Sequence, residues 1–114
     1  FPNRWVVAAG LDKHASAVEG LSALGFGFVE LGTVTPLAQP GNTRPRLFRL
    51  STINGVINRN GFNSAGLGAF LSNLARHRQP VRIGINLGKN AVTPIRQAAD
   101  DYLIGLRAVY RAAD

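Results

Sequence analysis

The chain has 114 residues, 46% of them hydrophobic, and a formal net charge of +7 from 13 Lys and Arg against 6 Asp and Glu; this is enough for one small domain, 1–114, with its own core. The absence of cysteine excludes disulfides and thiolate metal sites, no apolar run reaches membrane-spanning length, and Phe1 does not open a signal peptide. The basic balance favours anionic partners, but the eleven arginines are scattered rather than gathered in a stripe, which suits a solvated surface.

In chain order, Phe1 to Gly10 reads as a strand that narrows to Ala8, Ala9 and Gly10. Those small residues let a flat ring approach the backbone, and Lys13 follows at the carboxyl end, where α/β folds place ligands. A plain strand end with a solvated lysine is the other reading. Ala15 to Leu24 carries Val18, Leu21 and Leu24 at helical spacing, with Gly25 placed to stop the helix in the left-handed conformation. Phe26 to Leu31 is an almost wholly apolar strand, expected to be buried on both faces. Glu30 interrupts it and is expected to face a cation, Lys13 or Arg82.

A long connection runs from Gly32 to Asn63, more than an ordinary loop. Within it, Arg46 to Leu50 and Gly55 to Asn58 read as a β-hairpin, with Asn54-Gly55 as its turn signal. Asn63 or Ser64 can cap a helix to about Arg78, with Leu67, Phe70, Leu71 and Leu74 as its apolar stripe. Val81 to Leu87 is a third strand, with Ile83, Ile85 and Leu87 on one face and Gly84 and Asn86 on the other. Thr93-Pro94 opens a last helix whose buried side is expected to hold Ile95, Ala99, Tyr102, Leu106 and Val109.

The alternation predicts an α/β fold with a parallel sheet and helical crossovers. Three βα units fit either an open doubly wound sheet or part of a (β/α)8 TIM barrel, which needs eight. Parallel strands would bring Gly10, Lys13, Thr33, Asn58, Arg59, Asn60, Asn63, Asn86, Lys89 and Asn90 to one face. This set is rich in amides and cations. It holds no metal-ligating cluster, no Ser-His-Asp order and no phosphate fingerprint. It suits a planar heterocycle bearing carbonyls, amides and a carboxylate.

Six segments stand in order: Ala8-Ala9-Gly10-Leu11-Asp12-Lys13, Gly32-Thr33-Val34-Thr35-Pro36, Gln39-Pro40-Gly41-Asn42, Pro45-Arg46-Leu47-Phe48-Arg49-Leu50, Ile57-Asn58-Arg59-Asn60-Gly61-Phe62-Asn63 and Gly84-Ile85-Asn86-Leu87-Gly88-Lys89-Asn90. Together they resemble the class 2, quinone-linked dihydroorotate dehydrogenases over essentially the whole chain. The resemblance implies a partial (β/α)8 barrel, about three βα units with a hairpin insertion after the second strand, carrying FMN at its carboxyl-end face. It implies flavin contacts from Ala9, Gly10, Leu11, Asp12, Lys13, Thr33 and Asn86. It implies substrate contacts from Lys13, Asn58, Arg59, Asn60, Gly61 and Phe62. Asn60 departs from the usual, more apolar residue, so only its backbone is assigned a role.

The implied reaction is oxidation of dihydroorotate to orotate with hydride transfer to FMN and a quinone as final acceptor, a step of pyrimidine synthesis. The serine base of that class falls beyond Asp114, so no catalytic residue is assigned here, and no metal. The absence of methionine, even at position 1, suggests that the ends are not the natural ends of a gene product, and the resemblance implies an amino-terminal-half fragment, inactive alone. The membrane-docking extension of that class would precede it, placing the whole protein at the cytoplasmic face of a bacterial inner membrane. Two other readings stand beside this one: a different FMN-dependent pyrimidine oxidoreductase, and a basic module for anions or nucleic acid. Nucleic acid is not expected, because aromatic residues are not interleaved with the arginines.

Overall fold

The computed structural model describes residues 1–77 and 81–114. Three strands form a parallel sheet in the order β1 (Val6–Val7), β2 (Phe28–Val34), β5 (Arg82–Leu87), and β3 (Leu47–Leu50) pairs antiparallel with β4 (Gly55–Asn58). The helices are α1 (Val18–Ala23), α2 (Gly66–Leu74) and α3 (Ala98–Val109). This is a part of a TIM barrel, with the hairpin inserted between β2 and α2. Among the described residues β1 and β5 are each paired on one side only.

The core lies between one face of the sheet and the helices. Val29 and Leu31 of β2 and Ile83 of β5 meet Val18 and Leu21 of α1, Leu67, Phe70 and Leu74 of α2, and Val109 of α3. Strand alternation sends Phe28 and Glu30 to the opposite face. There the Phe28 ring lies over Gly84, whose missing side chain makes room for it, and meets Phe1 edge-on at 5.8 Å.

β1 is far shorter than the expected Phe1 to Gly10. Asn3 turns the chain before it, accepting from the Trp5 N–H and donating to the Gly25 carbonyl, and Asp12 organises a loop after it. The buried Asp12 carboxylate accepts from Ser16 N at 3.0 Å and Ala17 N at 2.8 Å. Ala15 is held at a positive φ of 54°, so α1 starts at Val18 instead of Ala15. Leu24 is outside the core, at 74% exposure. Gly25 takes the left-handed conformation at φ 85°. β2 starts two residues late and runs on to Val34, because Gly32 and Val34 pair with Asn86 and Leu87.

The hairpin pairs Leu47 with Asn58 and Leu50 with Gly55 around a short turn in which Asn54 is left-handed. Ser64 sits one residue before the cap of α2; its hydroxyl accepts from Gly66 N and Thr35 N. The expected end of that helix at Arg78 lies outside the described residues, while α2 ends at Leu74.

The last helix departs most from expectation. A short 3-10 turn (Ile95–Gln97) precedes α3, and Thr93 does not cap it. The buried positions are Asp101, Gly105 and Val109, whereas Ile95, Ala99, Tyr102 and Leu106 are exposed. A nearly all-round apolar helix leaves its inward face to be chosen by contacts. Gly105 lets Leu87 approach, as a Cβ there would stand 3.1 Å from its Cδ2. Asp101 accepts from Asn90 N at 2.8 Å.

Candidate active-site rim

The segments after β1 and β5 meet the end of β2 through backbone bonds. Gly10 N donates to Gly32 O at 2.7 Å, Gly32 N to Asp12 O at 3.1 Å, and Gly88 N to Val34 O at 2.9 Å. Gly32 makes this junction possible. Its φ is +101°, and a Cβ there would stand 2.6 Å from the Asn86 carbonyl oxygen. Gly32→Ala is expected to destabilise the protein by about 2–4 kcal/mol, because both the left-handed backbone and a rigid carbonyl oppose it. A urea midpoint unchanged from wild type would remove Gly32 from this role.

Lys13 is partly buried and donates to Asn63 Oδ1 at 3.0 Å, joining the first loop to the segment after the hairpin. Burial lowers its ammonium pKa below the ordinary value, and the charge of Arg46 lowers it further. Two cations therefore share one end of the rim. In the window between the lowered folded value and the ordinary 10.5, the unfolded chain holds more protons than the folded one. Stability contributed by this group therefore rises with pH across that window. Urea titrations from neutrality upward should show the rise in wild type and a smaller one in Lys13→Met. Identical profiles would contradict it.

At the other end, Thr33 Oγ1 donates to Asn86 Oδ1 at 2.7 Å, and Asn86 Nδ2 donates to Glu30 Oε1 at 3.2 Å. Glu30 Oε2 accepts from Ala9 N at 3.4 Å. The expected cation partner of Glu30 is thus replaced by neutral donors. Lys13 is turned to Asn63, and Arg82 pairs with Asp114 at 2.8 Å. For Arg82 the strand register decides this, since Arg82 and Glu30 lie at different heights on the sheet: Arg82 pairs with Phe28, and Glu30 with Gly84.

A cavity of about 480 Å³ opens beside Asn86 and is lined by Gly61, Phe62, Gly88, Lys89 and Tyr102 among others. Gly61 and Phe62 are both left-handed, at φ 70° and 51°. Gln39 holds them: its Nε2 donates to Phe62 O at 2.9 Å and to Gly61 O at 3.3 Å, while its Oε1 accepts from Asn90 Nδ2 and Ala91 N. Asn42 adds a bond from its Nδ2 to Arg59 O at 2.8 Å.

Of the residues singled out from the sequence, the fold brings Ala9, Gly10, Lys13, Thr33, Gly61, Phe62 and Asn86 to this rim. Leu11 is exposed, and the Asp12 side chain is buried and spent on its own loop. Asn58 and Arg59 are exposed at the hairpin base. Asn58 accepts from Asn60 N, Asn60 is partly buried, and the Arg59 guanidinium is held by Pro45 O. Lys89 donates to Asn90 O and Thr93 O, bracing its own loop. Arg46 and Gln39 carried no individual role in the sequence; both stand inside quoted segments, which was the only signal for them.

Small residues, amides and Lys13 gather at the carboxyl ends of the parallel strands of this part of a βα barrel, the end at which barrels of this kind carry their sites. The family model for dihydroorotate dehydrogenase matches residues 1–114. The chain belongs to the dihydroorotate dehydrogenase family. It is 58% identical over 118 residues to the dihydroorotate dehydrogenase (quinone) of Leptothrix cholodnii, with all of this chain and 34% of that protein covered. It is 57% identical to the protein of the same name from Verminephrobacter eiseniae, covering 33% of it. A crystal structure of the Eimeria tenella DHODH in complex with ferulenol superposes with a TM-score of 0.84 at 43% identity, over 96% of this chain and 31% of that one. The chain spans about a third of the length of the relatives it matches.

Proposed function

We propose that this chain is the flavin- and substrate-gripping part of a quinone-dependent dihydroorotate dehydrogenase, which oxidises dihydroorotate to orotate. The observation that carries the reading is the rim itself, with two cations at one end and an amide–hydroxyl network at the other. The rim suits FMN. A Cβ built on Gly10 meets nothing within 4 Å, so a flat ring has open space over that backbone. Thr33 and Asn86 offer hydroxyl and carboxamide groups matching a ring with both donors and acceptors.

FMN, when bound, supplies the hydride acceptor. Lys13, with Arg46 behind it, attracts the substrate carboxylate and favours negative charge on the ring. Phe62 walls the cavity against water, and Gln39 keeps it in place. Asn58, Arg59, Asn60 and Gly61 contribute the rest of the substrate stretch, and Leu11 and Asp12 contribute through the loop backbone. A quinone takes the electrons at a membrane surface on the cytoplasmic side of a bacterial inner membrane. The bacterial relatives named for quinone support the choice of acceptor. No helix among the described residues is long and apolar enough to cross a membrane.

The test is turnover by the full-length enzyme that carries this segment. Loaded with FMN, it should reduce a soluble quinone at the expense of dihydroorotate. Flavin binding without dihydroorotate oxidation, but with oxidation of another reduced pyrimidine, would overturn the substrate assignment.

A further inference from the structure

We propose that Glu30 is a positioning residue that sets the orientation of the Asn86 carboxamide and, through it, the donor and acceptor pattern offered to the ring. The inference rests on the reading that this rim holds FMN. Glu30 stands in the middle of the central strand, on the face away from the helices. One carboxylate oxygen accepts from Asn86 Nδ2 at 3.2 Å on β5, and the other from Ala9 N at 3.4 Å just beyond β1. It thereby ties together the two outer segments that flank the candidate ring site.

The chemistry of the partners dictates a single arrangement. A threonine hydroxyl both donates and accepts, so Thr33 would tolerate either end of the Asn86 amide. A carboxylate only accepts, so Glu30 demands the NH2 end. That turns Asn86 Oδ1 toward Thr33, whose hydroxyl then donates at 2.7 Å. The second Nδ2–H of Asn86 has no partner among the described residues and remains a donor for a ligand carbonyl. The Thr33 hydroxyl, its proton spent, remains an acceptor. No cation competes for Glu30 among the described residues, since Lys13 and Arg82 are engaged elsewhere. A glutamine at position 30 could turn either end toward Asn86, and both amide orientations would then be populated.

The experiment is a double-mutant cycle on FMN affinity in the full-length enzyme, using E30Q, N86A and the pair. E30Q alone is expected to weaken FMN binding by about tenfold, the scale of one charge-assisted hydrogen bond. In the N86A background the same change should cost nothing further, because the group it orients is gone. Equal losses in both backgrounds, or no loss in E30Q, would overturn the proposal. If E30Q fails to fold, E30D keeps an acceptor-only group on a shorter stem that no longer reaches Asn86, and is judged by the same criterion. A parent enzyme that binds FMN while the cycle is additive overturns only the role of Glu30. A parent that never binds FMN overturns the cofactor reading, and this inference with it.

Discussion

Lys13→Ala is expected to weaken dihydroorotate and orotate binding in the full-length enzyme by on the order of a hundredfold, with turnover falling at least as far. A charge-assisted hydrogen bond to a carboxylate is worth about 1.5–3 kcal/mol, and every 1.4 kcal/mol is about tenfold in affinity. Lys13 sits at the upper end of that range. It is partly buried, so its charge is incompletely screened, and its Asn63 partner fixes where the ammonium points. Arg46 depresses its pKa without bonding to it and is itself committed to Pro40 O and Asn42 O. Arg46 therefore contributes field but cannot take over the contact. Lys13→Arg should recover only a small part of the loss, because a planar fork does not fit a site shaped for a compact ammonium. Isothermal titration with orotate measures the effect directly. A loss under threefold would mean that Lys13 does not contact the substrate carboxylate.

The second large effect is on stability. Asn90→Ala is expected to cost about 2–4 kcal/mol, a large share of the few to fifteen kcal/mol that hold a domain of this size together. The Asn90 side chain is 1% exposed. Its Nδ2 donates to Leu37 O at 2.9 Å and Gln39 Oε1 at 3.0 Å, and its Oδ1 accepts from Leu37 N at 2.9 Å. Its removal strands these groups on the loop after β2. Gln39 then loses an anchor while still holding Gly61 and Phe62, so the cavity wall should loosen as well. Urea denaturation gives the stability change, and the orotate KM gives the effect on the wall. A shift in stability below about 0.5 kcal/mol, the usual surface range, would show that water replaces these bonds without penalty.

Much of the architecture was legible because it depends on local patterns. A nearly continuous apolar run marked β2, alternating apolar residues marked β5, helical spacing marked α1 and α2, and Asn54-Gly55 marked the hairpin turn. Those signals arise from periodicity and turn chemistry, which neighbouring residues decide among themselves. The limits of β1 and α1 were not legible, because Asn3 and Asp12 bend the backbone with their side chains. The inward face of α3 was misread for a related reason. Its apolar residues occupy most of the circumference, and the seated face is chosen by Gly105 against Leu87 and Asp101 on Asn90 N.

By itself, the order of residues determined that this chain is α/β, that the strands linked by helices run parallel while the inserted hairpin does not, and that Lys13, Thr33 and Asn86 follow or end strands on one side. It also determined the family, since six ordered segments carry that information without coordinates. Tertiary structure alone decided which polar groups face one another: Glu30 with Asn86 and Ala9, Lys13 with Asn63, Gln39 between Phe62 and Asn90. These pairs lie 21 to 56 residues apart in the chain. Hydrogen bonds require donor and acceptor within about 3 Å and in line, a condition that sequence spacing does not express and that strand register and loop closure impose.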